Sequence, residues 1–278
     1  MNSVAYNGTP LIYSGSGGFT STWSAKTWDG FTNIDGSYVW TDGENIYYSD
    51  ESNQYVLDKS TSTWSVKTWN GLSNIIGSNV WTDGENIYHS RGNAGQYVLD
   101  KVTSTWSTKT WSGFTSITGS YVWTDGENIY YSSGSNQYVL DKATSTWSVK
   151  TWSGFTSITG SYVWTDGENI YYSLGSNQYV LDKATSTWYV KTWSGLDINL
   201  GGTSVWTDGE NIYYSSGSNQ YVLDKATSTW SAKTWYGFSP AYGNRIWNDG
   251  ENIYYSFSSN QYVLGKTTPS NFAIYYNT

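Results

Sequence analysis

The 278-residue sequence contains no cysteine, a single histidine (His89) and only three prolines. Without cysteine there is no disulfide framework, no thiolate zinc site and no cysteine nucleophile. A single imidazole also excludes metal centres that are built from several histidines. We therefore expect a protein that works without a cofactor.

Long apolar runs and clusters of basic residues are missing as well. No run approaches the roughly 18 apolar residues that a transmembrane helix needs, and the first residues lack the basic-then-apolar order of a secretion signal. Fourteen scattered Lys and Arg face 22 Asp and Glu, which leaves a formal charge of −8 and argues against nucleic acid as a partner. We expect no membrane insertion, and either a cytoplasmic location or a place in a viral or microbial assembly. The composition leaves the oligomeric state open.

Aromatic residues are abundant instead, at 19% of the chain against a total apolar content of 37%. Disordered chains are poor in aromatic residues and rich in charge, so this composition predicts a folded protein with an aromatic core.

The tryptophans mark an internal repeat. The segment Trp-Thr-Asp-Gly-Glu-Asn-Ile-Tyr recurs every 41 or 42 residues, and a sixth copy has Asn in place of Thr. The six copies begin at Trp40, Trp81, Trp123, Trp164, Trp206 and Trp247. The first five continue into Tyr-Val-Leu-Asp-Lys, Thr-Ser-Thr-Trp and Lys-Thr-Trp, so every tryptophan of the chain follows the repeat. A repeat of this length is typical of solenoids and propellers.

One unit predicts four short strands. Strand a is Tyr121–Thr124, strand b Asn128–Ser132, strand c Gln137–Asp141 and strand d Trp147–Trp152, and a two-residue Asp125–Gly126 turn with positive φ at both positions joins a to b. Four antiparallel strands in about 41 residues make one propeller blade, which buries its faces only against neighbouring blades. The sequence therefore predicts an all-β fold, a single β-propeller domain spanning residues 1–278.

The order of these signals resembles the kelch-repeat β-propellers. The matching residues are the a–b hairpin, the Tyr-Val-Leu-Asp strand and the Thr-x-x-Trp ending, which in the third unit are Asp125, Gly126, Ile129, Tyr130, Thr144 and Trp147. The resemblance implies a non-enzymatic propeller that serves protein–protein recognition.

The number of blades depends on how the two ends of the chain are assigned. Residues 4–14 align with strands a and b, Thr20–Trp23 with the start of strand d, and residues 271–276 form an apolar segment. We favour seven blades, a shortened first blade of about 1–36 followed by six over about 37–278. A six-bladed ring that is closed by Trp23–Trp28 as its last strand d is the alternative.

Differences between the repeats are concentrated in two kinds of loop. The a–b and c–d turns hardly vary, whereas the b–c and d–a loops differ from unit to unit. In an antiparallel blade the b–c and d–a loops emerge together, and we call this side of the ring the varied face and the opposite side the repeated face. Loops on a rigid scaffold carry recognition, so the varied face is our candidate for partner contacts, although long loops are also less constrained than tight turns.

The candidate residues for this face are charged or aromatic, single-copy residues of the loops. They are Phe31, Asp35, Asp50, Glu51, Arg91, Phe114, Phe155, Asp197, Tyr236, Phe238 and Tyr242. Asp29, Asp35, Asp50 and Glu51 together form a weak candidate for a site that binds Ca²⁺ through carboxylate oxygens, against the alternative of a solvated acidic patch.

Other residues fit structural roles better than catalysis. Six identical Asp-Gly-Glu-Asn turns do not provide the unequal carboxylate pair that glycoside hydrolysis requires. His89 occupies a position that is tyrosine in the other units and has no nucleophilic serine in motif spacing. The tryptophans recur in strands, where blade-to-blade packing uses them.

Three functional hypotheses remain. The favoured one is a non-enzymatic scaffold that binds a protein through the varied face. The alternative is a glycan-binding propeller in which repeated weak sites act together. A carboxylate-based enzyme is less favoured than either.

Overall fold

The computed structural model describes residues 5–6, 9–10, 18–195 and 199–266, and side chains are described for the last two ranges. These residues form a ring of six four-stranded antiparallel sheets, which we call blades I to VI in chain order of their first strands. The predicted all-β propeller is confirmed. Within the described ranges no helix has the length and apolar character needed to cross a bilayer.

Each blade contains strands a to d from the centre outward, in the order predicted from the repeat. The innermost strands a of blades I to VI are Val39–Thr41, Val80–Thr82, Val122–Thr124, Val163–Thr165, Val205–Thr207 and Ile246–Asn248. The strands b are Ile46–Ser49, Ile87–Ser90, Ile129–Gly134, Ile170–Gly175, Ile212–Ser216 and Ile253–Phe257. The strands c are Gln54–Asp58, Gln96–Asp100, Asn136–Asp141, Asn177–Asp182, Asn219–Asp224 and Asn260–Lys266. The strands d are Thr63–Val66, Thr105–Thr108, Thr146–Val149, Thr187–Val190, Thr229–Ala232 and Phe19–Ala25.

The last strand d comes from the start of the chain, and it closes the ring. Phe19–Ala25 pairs antiparallel with Asn260–Lys266, so that Trp23 lies opposite Leu264 and Ser24 opposite Val263. The favoured count of seven blades is therefore wrong, and the six-bladed alternative is confirmed. The reason is that the tryptophan-bearing N-terminal strand fills the vacant outer position of blade VI, which removes the exposed edge of strand c without a further blade.

The other early strands stand outside the blades. Ala5–Tyr6 and Thr9–Pro10 pair with each other in a separate two-stranded sheet. The predicted C-terminal strand over residues 271–276 lies outside the described residues.

The a–b turns differ from the predicted two-residue hairpins. Strand a ends at Thr124 and strand b begins at Ile129, which leaves a four-residue loop in which Gly126 has positive φ (94°) and Asp125 does not. The Asp125 carboxylate accepts the backbone N–H groups of Glu127 and Asn128 and thereby shapes the loop. The predicted two-residue turn requires a positive φ at Asp125. In the longer loop the Asp125 side chain holds the backbone by hydrogen bonds, so this residue needs no positive φ.

Short 3₁₀ turns lead into every strand a and meet one another around the centre of the ring. At each of these turns the first glycine lies directly against a carbonyl of the preceding blade. A Cβ on Gly202 would lie 2.2 Å from the carbonyl oxygen of Tyr162. The six turns of blades I to VI are Gly36–Tyr38, Gly77–Asn79, Gly119–Tyr121, Gly160–Tyr162, Gly202–Ser204 and Gly243–Arg245. A seventh 3₁₀ turn, Gly92–Ala94, lies in the b–c loop of blade II.

Within the described part of the chain, five two-residue strands join the blades to one another. Three run parallel to the strand d of the following blade, and two run antiparallel to the end of the preceding strand b. The parallel ones are Asp29–Gly30, Ser112–Gly113 and Ser153–Gly154, and the antiparallel ones are Ile158–Thr159 and Leu200–Gly201.

Tryptophan triads lie in the core between consecutive blades, together with buried Tyr, Ile, Val and Leu side chains. At the junction of blades III and IV, Trp123 of strand a stacks on Trp152 with ring centroids 5.8 Å apart. Trp188 from strand d of blade IV contacts both rings edge-on, at 6.0 and 5.9 Å. The same triad recurs at all six junctions and uses all 18 tryptophans of the chain. Tryptophan is thus a packing residue of the ring, as the repeat predicted.

Candidate ligand-binding face

Hydrogen bonds between neighbouring blades divide the loops into two sides, as the sequence predicted. On the varied face, the end of each strand b pairs with the segment that leads into the next blade. Ser133 and Gly134 of blade III, for example, lie opposite Thr159 and Ile158. On the repeated face, the c–d turn of one blade contacts the a–b turn of the previous one, since the Lys142 ammonium donates to the backbone carbonyl of Asp83 at 3.2 Å.

On the repeated face, the polar groups of each a–b turn form hydrogen bonds with one another. In blade II the Asp83 carboxylate accepts the N–H groups of Glu85 and Asn86 and, at 2.9 Å, the hydroxyl of Tyr88. Burial by itself raises the pKa of Asp83, but these hydrogen bonds together outweigh it and hold the pKa below its usual value. Burial and the neighbouring carboxylate raise the pKa of Tyr88. The Asp83 carboxylate therefore acts as an ionised cap of its hairpin.

Four of the predicted surface aromatics turn out to be interior parts of the repeat. Phe31, Phe114, Phe155 and Phe238 occupy one equivalent position, three residues after a tryptophan of the triads. Each is partly buried and stacks on a strand c tyrosine, with centroids 4.2, 4.1, 4.2 and 3.8 Å apart. The prediction that they are exposed single-copy loop residues is wrong, because the segment after strand d folds back against the next blade instead of projecting from it.

Two further candidates lie at the outer rim. Asp29 pairs with Thr63, and Tyr236 bridges to Thr22, so both sit beside a strand d, the outermost strand of a blade. Tyr236 is 64% exposed. Asp29 is therefore separated from the other three acids of the suggested Ca²⁺ site, and no group of three potential ligands occurs among the described side chains. Asp197 lies outside the described residues.

The remaining candidates form a polar arc on the varied face, which runs across blades VI, I and II. At one end the Arg245 guanidinium forms an ion pair with Asp35 and donates to Ser37. At the other end Arg91 forms an ion pair with Glu51 at 3.2 Å. Both ion pairs join adjacent blades.

The middle and the rim of this polar arc come from Asp50 and Tyr242. Asp50 accepts the Tyr48 hydroxyl at 2.9 Å and the Asn53 N–H at 2.8 Å. Tyr242 is 47% exposed and contacts the Phe257 ring edge-on, and Phe257 also lies 4.9 Å beneath the Arg245 guanidinium. The polar arc thus unites five predicted residues, namely Asp35, Asp50, Glu51, Arg91 and Tyr242.

His89 lies beneath the polar arc and is fully buried. Its Nε2 atom accepts the N–H of Ile76 at 3.1 Å, and its Nδ1 atom has no hydrogen-bond partner among the described residues. Burial, and secondarily the charge of Arg91, lower the pKa of His89 to about 4. The ring is therefore neutral at pH 7 and has no access to a substrate.

A cavity of about 300 Å³ opens between blades IV and V, on the opposite side of the ring from blade I. It lies on the varied face, because a b–c loop and a segment leading into strand a contribute to its wall. Its lining residues are Gly175, Ser176, Gln178, Val190, Lys191, Thr192, Trp193, Asn199 and Leu200. We call it the IV/V pocket.

The IV/V pocket contains an indole and an ammonium group at close range. The Lys191 ammonium lies 4.5 Å from the centroid of the Trp193 ring and donates to the Ser228 hydroxyl at 2.7 Å. Trp193 is the one member of its six equivalent positions that is only partly buried. Sequence reasoning missed this pocket, although the non-repeating Leu174 and Tyr189 nearby and the extra residue before Leu200 signalled a departure from the repeat.

The sequence matches no protein-family model and no curated protein. Solved structures from B. thetaiotaomicron resemble the fold. The extracellular domain of a proposed one-component system matches with a TM-score of 0.50 and 11% identity, over 82% of this chain and 32% of that chain. The extracellular domain of a proposed hybrid two-component system gives a TM-score of 0.51 and 11% identity, over 84% of this chain and 34% of that chain. The chain spans about a third of the length of these structures, and the likeness supports the propeller fold.

Proposed function

We propose that this protein is a non-catalytic binding module that recognises its partner through the varied face. The observation that carries the proposal is that the differences between the repeats lie on one side of the ring. The non-repeating charged and aromatic residues of the polar arc lie on the varied face. The repeated face carries the same a–b turn six times, and the polar groups of this turn form hydrogen bonds within it. Recognition residues on loops of a rigid scaffold are the usual arrangement in binding proteins.

The chemistry of the titratable groups supports binding over catalysis. The turn carboxylates are engaged by backbone N–H groups and a tyrosine hydroxyl, and His89 is buried and neutral. A general acid or base must reach its substrate and titrate near the working pH. His89 meets neither requirement, and the hydrogen bonds of Asp83 hold the pKa of that carboxyl below its usual value.

A protein partner is the first candidate, in keeping with the kelch resemblance of the repeat. The polar arc offers two arginines, three carboxylates and an exposed tyrosine, which are the residue types enriched at recognition surfaces or at their polar rims. A carbohydrate partner is the second candidate, because six closely similar blades would present one weak site several times around the ring.

The test compares two triple variants. The varied-face variant carries Glu51→Ala, Arg91→Ala and Tyr242→Ala. The matched repeated-face variant carries Glu85→Ala, Glu168→Ala and Val102→Ala, at three exposed positions.

Wild type and both variants are immobilised and exposed to the same protein mixture and to a glycan array. We expect a ligand that wild type and the repeated-face variant retain, and that the varied-face variant binds about tenfold more weakly or loses. A ligand that is lost only by the repeated-face variant, or turnover of a substrate by the purified protein, would contradict the proposal.

A further inference from the structure

We propose that His89 is a proton-sensitive contact beneath the polar arc, and that its protonation uncouples blade I from blade II on the varied face. This inference rests on the proposed function, because Glu51 of blade I and Arg91 of blade II are among the residues that function assigns to partner contacts. The polar arc is then a binding surface that acid loosens.

The hydrogen bonds of His89 tie it to the segment that joins the two blades. Its Nε2 atom accepts the backbone N–H of Ile76 at 3.1 Å. The neighbouring carbonyl of Ile75 accepts the N–H of Glu51 at 2.8 Å, and Ile76 itself bridges to Asp50. The b–c loop of blade I is therefore held by the same short segment that His89 contacts.

Protonation removes the acceptor on which this contact depends. The neutral ring carries its hydrogen on Nδ1, because Nε2 accepts the Ile76 N–H. The imidazolium carries a hydrogen on both nitrogens, so two N–H donors would face each other at Ile76. The ring and this peptide group must then move apart, which displaces the segment that holds the loop of blade I.

The surroundings of His89 offer nothing that would stabilise the charged ring. Strand a faces it with Val80, strand d with Trp106 and the connecting segment with Ile76, none of which ionises. Strand c places Tyr97 opposite it. Among the described residues no carboxylate accepts a hydrogen bond from either ring nitrogen.

The charged groups nearby belong to the polar arc itself. Burial, and secondarily the charge of Arg91, lower the pKa of His89 to about 4. Arg91 pairs with Glu51 at 3.2 Å, and Asp50 lies opposite the connecting segment. Because an imidazolium repels the Arg91 guanidinium, protonation weakens the ion pair between the blades together with the backbone contact.

The size of the linkage follows from the two environments of the ring. Where the connecting segment has moved away, the imidazole is solvated and its pKa returns to about 6.5. The opened form therefore binds a proton at a higher pH than the closed form, and opening becomes more favourable as the pH falls. Between pH 7 and pH 4 the equilibrium constant for opening should rise about 100-fold.

Native-state hydrogen exchange, followed by NMR, tests this linkage without a partner. The reporter is the amide of Glu51, and the matched control is the amide of Gly217, which donates to the equivalent carbonyl, that of Ala241, between blades V and VI. At that junction Tyr255 stands in place of His89. Both amides lie in b–c loops, which exchange through local openings and not through global unfolding.

We expect the protection factor of the Glu51 amide to fall about 100-fold between pH 7 and pH 4, and that of Gly217 to change by less than about threefold. His89→Gln keeps a neutral acceptor for the Ile76 N–H and does not titrate, and His89→Tyr installs the residue of the other five blades. Either variant should abolish the fall at Glu51. Since the carboxylates of Asp50 and Glu51 remain in both variants, the difference from wild type isolates the imidazole.

Three results would overturn the inference. Constant protection at Glu51 would show that opening is not linked to the proton. Equal loss at Glu51 and Gly217 would show that acid loosens the whole ring, and a fall that persists in both His89 variants would assign it to the carboxylates. None of these results bears on the proposed function, which is tested by partner binding of the varied-face variant at neutral pH.

Discussion

The buried imidazole of His89 makes the stability of the ring depend on pH. Burial and the nearby Arg91 lower its pKa from 6.5 to about 4 in the folded state. Between pH 6.5 and 4 the unfolded chain therefore holds a proton that the folded chain lacks, and the free energy of unfolding falls as the pH falls. The difference of about 2.5 pKa units, at about 1.4 kcal/mol per unit, amounts to about 3.5 kcal/mol, and about 3 kcal/mol of it is lost between pH 7 and pH 4.

The perturbation is His89→Tyr, which restores the residue found at this position in the other five blades. Urea unfolding at pH 7, 5.5 and 4 gives the free energy of unfolding for wild type and variant. We expect the loss between pH 7 and 4 to be about 3 kcal/mol smaller in the variant. The carboxylates are common to both proteins, so the difference isolates the imidazole.

The repeat supplies the reciprocal experiment. Tyr131→His places an imidazole at the equivalent buried position of blade III, where it should create a pH dependence of the same sign. Equal pH dependence of wild type and His89→Tyr would refute the reasoning. It would mean that His89 titrates in the folded protein as it does in the unfolded chain.

Three further predictions concern the construction of the ring. Gly202→Ala should lower the free energy of unfolding by about 1–3 kcal/mol, because its Cβ would lie 2.2 Å from a backbone carbonyl oxygen. The control Gly201→Ala, whose Cβ would have no atom within 4 Å, should change it by less than about 0.5 kcal/mol. Equal effects of the two substitutions in urea titrations would refute the close approach. Tyr130→Phe removes the hydroxyl that donates to Asp125 at 3.0 Å and should cost about 1–3 kcal/mol by the same measurement, and an unchanged midpoint would show that the bond contributes nothing. Trp23→Ala in the closing strand should cost about 3–5 kcal/mol in chemical denaturation, and a loss below about 1 kcal/mol would mean that this strand does not close the ring.

Local sequence patterns determined the blade and the role of tryptophan. Alternating aromatic and β-branched residues, separated by Asp-Gly and Thr-Ser-Thr signals, predict four strands in each repeat. For strands a, b and c the predicted ends lie within one or two residues of the observed ends. The predicted strand d is too long at its end, because Trp152 leaves the strand and packs between blades. The register of the repeat also identified the tryptophans as packing residues, since a ligand site has no reason to recur in every unit.

The varied face was predicted because loop connectivity follows from antiparallel strand order alone. Which side chains project from that face was not predictable, since this depends on how each connecting segment folds against its neighbour. Phe114 belongs to a segment that looks like an exposed loop in sequence, yet it lies flat on Tyr138. The polar arc depends on ion pairs such as that of Arg91 with Glu51, which lie 40 residues apart and meet only when two blades are side by side.

The sequence by itself determined that this protein is a ring of four-stranded blades with an aromatic core, because those properties follow from periodicity and turn chemistry within single repeats. Only the tertiary structure decided that six blades close the ring, since closure depends on the first tryptophan-bearing strand finding the edge left open by the last repeat. It also decided which charged side chains meet on the varied face. Arg245 and Asp35 lie 210 residues apart in the chain, and they become neighbours only when blades VI and I stand side by side.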